Sequence, residues 1–332
     1  MESEQFTTKD VNNENRYWKT SIQYQLGLLY LALDNQVSGI ETLKKSLKEN
    51  FLCFEIFYTL IDRHLISIAE QRCLVNDLLS SQVSLFNVSS SNSSSSSSLS
   101  LNKKKINENE NFLKSFMKFF FYISLSKHTR PDELEIYSPF NLFNDNPDVL
   151  IALSQRYYYN CDYLTAFETI DELFQKDPFN MRVVLLRVSC LIEEKRSNDL
   201  SVLGQFMIIL YPKNEISWYI LGAYYHLLNK PSLARSFLQK ATMLNVHFAP
   251  AWLLCGHSFS QEEKHDQAIS AFLRAAHYLP ACHLPHLYVG IEYILTESFK
   301  LAERYVSRAL ELSPDDPFTL HELGIVAFHT NE

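Results

Sequence analysis

From Glu215 to Glu332 one pattern returns every 34 residues without an insertion. Trp218, Leu221, Gly222 and Tyr225 form the string W-x2-L-G-x2-Y, and Trp252, Cys255, Gly256 and Phe259 repeat it one period later. His286, Val289, Gly290 and Tyr293 follow, then Leu320, Leu323, Gly324 and Ala327. A second comb keeps step: Ala234, Ala268 and Ala302 share one phase, Ala241, Ala275 and Ala309 another, and Pro280 and Pro314 close their units. A recurrence of this length makes each unit one supersecondary element that cannot bury its apolar face alone, so copies must stack on their neighbours.

The spacing says what each unit is. Steps of three and four place the aromatic, the Leu and the Gly on one face of a first helix, and alanines seven apart on one face of a second. Gly and Ala admit close backbone approach, large side chains fill the remaining space, and the proline ends the second helix. Period and signature together resemble the tetratricopeptide repeat, which predicts an all-α fold, a right-handed superhelix built as an α-solenoid.

Extending the register backwards gives unit starts at 147, 181, 215, 249, 283 and 317, the last unit cut short. The regular array is therefore expected over 147–332. Residues 1–15 are polar and Asn-rich and are expected to be disordered. Residues 16–79 read as divergent repeat helices, with Leu26, Gly27 and Tyr30 in the first-helix phase and Gly39 and Leu43 in the second. Between Ser80 and Ser100, 13 of 21 residues are serine. So little apolar surface cannot offset the entropy of ordering, so 80–111 reads as a Ser/Asn/Lys-rich low-complexity linker, a flexible insertion. Phe112 to Leu125 is an apolar helix, and a Pro-containing connector completes 112–146.

A net charge of -8 argues against nucleic acid as a partner, since phosphate contacts need a clustered basic surface. The six cysteines show no C-x2-C pairing, no apolar run reaches eighteen residues, and Met1 is followed by polar residues. Reduced thiols, no membrane span, and residence in nucleus and cytoplasm are the expectations. No catalytic site is read. Cys282, His283 and His286 lack a fourth metal ligand, His321-Glu322 is followed by Ile325 where a zinc protease needs His, and no Gly-rich phosphate loop occurs, so neither metal nor cofactor is expected.

Several strings exceed the generic repeat. Leu210-Tyr-Pro-Lys-Asn214 before Ser217-Trp218, Ala249-Pro-Ala-Trp252, Gly256-His-Ser-Phe259, His265-Asp-Gln-Ala268, Cys282-His-Leu-Pro285, Gly290-Ile-Glu-Tyr293 and Asp315-Asp-Pro-Phe318 resemble the Cdc16-type subunits of the anaphase-promoting complex. Tyr158-Tyr-Asn-Cys-Asp162 and Lys176-Asp-Pro-Phe179 are similar too. The resemblance implies a non-catalytic scaffold in a cullin-RING ubiquitin ligase that marks mitotic regulators for destruction. Members of that family stack with related repeat subunits, hold a short accessory subunit in the superhelical groove, and pair as homodimers through amino-terminal repeats. This chain is expected to start inside the family's array and to end before its last repeats. The Ser-rich insertion has no counterpart in that pattern.

If first helices line the concave face, template positions two, five, nine, twelve and thirteen point into the groove. That nominates Tyr219, Ala223, His226 and Leu227, then Leu253, His257 and Ser260, then Leu287, Ile291 and Ile294, then His321, Ile325 and Phe328. This lining suits an apolar peptide or helix. Chaperone adaptors place Lys and Asn there to clamp a terminal carboxylate, and that clamp is absent. An adaptor for a chaperone or signalling peptide, and the repeat module of a truncated enzyme, stand as alternative readings.

Overall fold

The structure, a computed structural model, describes residues 8–50, 53–89, 115, 119–125, 145–314 and 316–330. Among them the regular structure is helical throughout. The helices are α1 (Thr8–Ala32), α2 (Gln36–Glu49), α3 (Phe54–Asp62), α4 (Ile68–Ser89), α5 (Pro147–Tyr159), α6 (Tyr163–Lys176), α7 (Met181–Glu193), α8 (Ser197–Leu210), α9 (Glu215–Leu227), α10 (Pro231–Leu244), α11 (Ala249–Ser260), α12 (His265–Tyr278), α13 (Leu284–Leu295), α14 (Phe299–Leu312) and α15 (Pro317–Thr330). Residues 119–125 are also helical and bury Phe119, Phe120, Phe121 and Ile123. The helices fall into two compact units, one of Met1–Leu78 with Phe272–Glu332 and one of Leu79–Ala271.

Two boundaries differ from the reading of the sequence. α1 begins at Thr8, inside the stretch expected to lack order, because no Gly or Pro interrupts the chain between Thr8 and Gly27. α4 runs on to Ser89 and so takes in the first ten residues assigned to the linker. Val83, Leu85, Phe86 and Val88 lie among those serines, and serine costs a helix only a few tenths of a kcal/mol per residue. The rest of the linker, residues 90–111, and the connector from 126 to 144 lie outside the described residues.

Within the Leu79–Ala271 unit, α5/α6, α7/α8 and α9/α10 are antiparallel pairs, and first helices of successive pairs lie against one another. Three sequence devices set this geometry. Asn146, Asn180 and Asn214 recur at the repeat period as N-caps, each accepting a backbone N–H two residues on, from Asp148, Arg182 and Ile216 at 3.0, 3.1 and 2.9 Å. Each first helix then ends in one left-handed residue, Cys161, Lys195, Asn229 and Glu263 at φ 64°, 55°, 53° and 56°, which turns the chain into the second helix. Glu297 continues the series at φ 56°. Finally, Ala234, Ala241 and Ala268 are completely buried, as are Ala275, Ala302 and Ala309 in the other unit.

The glycines show why small residues are required. A Cβ on Gly222 would stand 2.6 Å from Leu238 Cδ2, and one on Gly204 2.7 Å from Leu221 Cδ2. The aromatics at the first and last positions of the string sit on either side of a second-helix ring: Trp218 and Tyr225 both stack on Phe237, with centroids 6.2 and 5.1 Å away. Trp218 and Trp252 also donate their indole N–H to the carbonyl six residues back, of Pro212 at 2.9 Å and Val246 at 2.8 Å. The core runs from Val184 through Ile220 and Leu238 to Leu254.

In the other unit the same packing joins α1 to α2 and α13 to α14. Gly27 faces Leu43, Gly39 faces Leu31, and Gly290 faces Val306. Ser46 Oγ donates to the Thr20 carbonyl at 3.0 Å, and Lys19 meets Glu49 at 2.9 Å, which holds the Glu49 carboxyl below the usual carboxylate range. Residues far apart in sequence also meet here. His277 Nε2 lies 2.9 Å from Asp34 Oδ1, Gln36 Nε2 donates to the His277 carbonyl, and the Ala281 N–H donates to the His64 carbonyl at 3.0 Å. Gly324 departs from its expected packing role: nothing lies within 4 Å of where its Cβ would be, because α15 is the last described helix and no second helix covers it.

Candidate partner-binding face

The positions nominated as groove lining divide between the two units, and burial divides them again. In the Leu79–Ala271 unit, Tyr219 is 8% exposed and Ala223 fully buried, so neither is available to a partner. The reason for Tyr219 is local: Phe248, the N-cap residue of α11, meets its ring edge-on with centroids 5.4 Å apart. In the other unit Leu287 is 2% exposed and likewise belongs to the core. Half-buried side chains remain at His226, Leu227, Leu253, His257 and Ser260 in one unit, and at Ile291, Ile294 and Ile325 in the other, where His321 and Phe328 are exposed.

His226 and His257, from adjacent first helices α9 and α11, have ring centroids 6.4 Å apart. Ser258 Oγ donates to the Leu254 carbonyl at 2.9 Å, so its 3.4 Å contact with His226 Nδ1 leaves the imidazole as donor. Burial lowers the His226 pKa, and burial together with the His226 charge brings His257 down to about 4. Both rings are therefore neutral at pH 7 and add no charge to the half-buried surface that Leu253 also contributes to.

Next to this stretch, at the carboxyl end of α7, stands Glu193. Its residue is exposed, yet its carboxyl end lies among aromatic rings: the Tyr158 hydroxyl donates to it, and Tyr219 and Tyr163 feel its charge. Loss of water around the carboxylate raises its pKa, and the Tyr158 hydrogen bond partly opposes the rise. Tyr219, desolvated and beside this charge, is pushed up to about 12. Tyr158 is itself fixed by edge-on contact with Tyr163, at 5.4 Å between centroids. Glu193 occupies template position thirteen of the unit starting at 181. Carrying the same template one repeat further back would have found it in the sequence.

Several charged side chains of this unit form pairs. Arg182 and Asp148, both at position two of their units, meet at 3.2 Å. Arg187 pairs with Asp171 at 2.6 Å and lies over the Phe174 ring, its guanidinium carbon 4.1 Å from the centroid. At the turn after α11, Arg235 grips both Glu262 oxygens at 2.8 Å and donates to the Ser258 carbonyl at 3.0 Å, which stiffens the end of that first helix.

The Cys282, His283 and His286 string is spent on packing. Burial pushes the Cys282 thiol up to about 11, His283 Nε2 lies 3.7 Å from Asp316 Oδ2, and His286 stacks on Tyr305 with centroids 6.4 Å apart. Among the described residues no group of three or more His, Cys, Asp or Glu side chains is placed to hold a metal ion, and no helix is long and apolar enough to cross a membrane.

Known proteins are similar to this chain in sequence, and one solved structure in architecture. The human cell division cycle protein 16 homolog is 36% identical over 315 residues, covering 95% of this chain and 47% of its own length. Anaphase-promoting complex subunit 6 of Arabidopsis thaliana is 32% identical over 326 residues, covering 98% of this chain and 57% of its own. The chain is thus similar in sequence to Cdc16-type subunits of the anaphase-promoting complex. In three dimensions it matches the crystal structure of the APC/C hetero-tetramer Cut9-Hcn1 with a TM-score of 0.73 and 27% identity, over 94% of this chain and 55% of that one. The chain thus spans about half the length of the Cdc16-type relatives it matches. No family model matches it.

Proposed function

We propose that this Cdc16-type chain is a non-catalytic scaffold in an anaphase-promoting complex, a ubiquitin ligase assembly of nucleus and cytoplasm. In that role it stacks with other tetratricopeptide subunits and holds a segment of a small accessory subunit on the inner face of its first helices. The observation that carries the reading is the half-buried stretch formed by His226, Leu253 and His257, with two imidazoles uncharged at neutral pH. Such a surface gains free energy when an apolar segment removes it from water, and it offers no clamp for a terminal carboxylate. The similarity to the solved Cut9-Hcn1 tetramer supports a second, different polypeptide as the occupant.

Affinity purification of the tagged chain followed by mass spectrometry tests the reading. Recovery of other tetratricopeptide subunits with a cullin-like protein is expected. Leu253→Asp, checked for folding by circular dichroism, should lose the small accessory component while the chain stays helical. Recovery of chaperones alone, or undiminished recovery of the accessory component by folded Leu253→Asp, would overturn the proposal.

A further inference from the structure

Inner faces of helical repeats are recognised by what they carry besides apolar surface. The first helices α5, α7, α9 and α11 place only three formal charges at their inward template positions: Asp148, Arg182 and Glu193. Asp148 and Arg182 neutralise one another at 3.2 Å. Glu193 forms no ion pair among the described residues, and the neutral hydroxyl of Tyr158 donates a hydrogen bond to it. Among the described residues these inward positions therefore carry one uncompensated negative charge, beside the rings of Tyr158 and Tyr219.

A carboxylate keeps about four acceptor sites on its two oxygens, and one phenol occupies one of them. When a partner segment covers this wall, water is removed from the rest. A covered charge without a counter-charge is destabilising, so an occupant that presents only apolar side chains at this point would be penalised. An ammonium or guanidinium removes the penalty and finds the partly exposed ring of Tyr158 beside it. We infer that Glu193 is the anchor for one Lys or Arg side chain of an otherwise apolar segment of a partner protein, seated along α7, α9 and α11. The inference rests on the inner face being a partner site and adds what the partner must carry.

The full chain, immobilised in parallel as wild type, Leu253→Asp, Glu193→Gln and Glu193→Lys, is challenged with a random short-peptide display library. Peptides retained by the wild type and lost on Leu253→Asp are the inner-face binders. These are expected to be apolar with a recurrent single Lys or Arg. That preference should disappear on Glu193→Gln and turn to Asp or Glu on Glu193→Lys. A synthetic peptide from the enriched set should bind Glu193→Gln about tenfold more weakly than wild type, and its norleucine-for-Lys version should bind both equally. Inner-face binders without a basic preference, or with one that survives in Glu193→Gln, overturn the role of Glu193 and leave the partner site standing. Absence of any Leu253-dependent binder overturns the partner site and the inference with it.

Discussion

A methyl group added to Gly290 would stand 2.5 Å from Val306 Cγ2, the branch of a completely buried side chain on the paired second helix. Valine is stiff at χ1 and cannot swing that branch away. Gly290→Ala should therefore force α13 and α14 apart and destabilise the protein by about 1–3 kcal/mol, despite the better helix propensity of alanine. The same change at Gly324, where nothing lies within 4 Å, should be neutral or stabilising by up to about 1 kcal/mol. Urea melts of the two variants check the contrast, and equal effects would refute it.

The left-handed turn residues make a second prediction. Lys195 and Glu263 are exposed and hold φ of 55° and 56°, a conformation that costs an L-residue with a Cβ roughly 1–2 kcal/mol. Replacing either by Gly should raise stability by about 0.5–1 kcal/mol, after allowance for the greater freedom of glycine in the unfolded chain. Replacement by Ala should change little. Thermal melts of the four single variants measure this directly.

Cap chemistry predicts a loss. Asn180 Oδ1 accepts the Arg182 N–H at 3.1 Å at the start of α7, and alanine there leaves that donor without its acceptor. Asn180→Ala should cost about 1 kcal/mol, and Asn180→Asp should retain most of the stability. Hydrogen exchange at the first turn of α7 would localise the change, which should not spread to α1.

His257 makes stability depend on pH. Its folded pKa of about 4 lies below its ordinary value of 6.5, so between these values the unfolded chain binds the proton and the folded chain does not. Stability is then complete above pH 6.5 and falls as the pH drops toward 4, by up to about 3 kcal/mol. In His257→Gln that part of the slope should be missing. Chemical denaturation at stepped pH would reject the assignment if both proteins lost stability in parallel across this window.

Much of the fold was legible in the sequence because close packing is written locally. Gly222 and Ala234 had to be small wherever two helices touch, and the recurrence of such positions announced the helix pairs. The N-cap asparagines 146, 180 and 214 were equally periodic, although a search for apolar recurrence passes over them. The candidate face was less legible. Template position five holds Tyr219, Leu253 and Leu287, yet only Leu253 keeps accessible surface. Phe248, from the cap of the next repeat, closes over the ring of Tyr219.

By itself the sequence determined that this chain is all-α, that its helices come in pairs of a fixed length, and that small residues sit where the pairs close. Those properties depend on side-chain size at helical spacing, which is a local matter. Only the tertiary structure decided which inward positions stay open, that Glu193 stands beside Tyr158 without a counter-ion among the described residues, and that Asp34 meets His277. Each depends on groups brought together by folding from different helices, in the last case 243 residues apart, and no local periodicity encodes such a meeting.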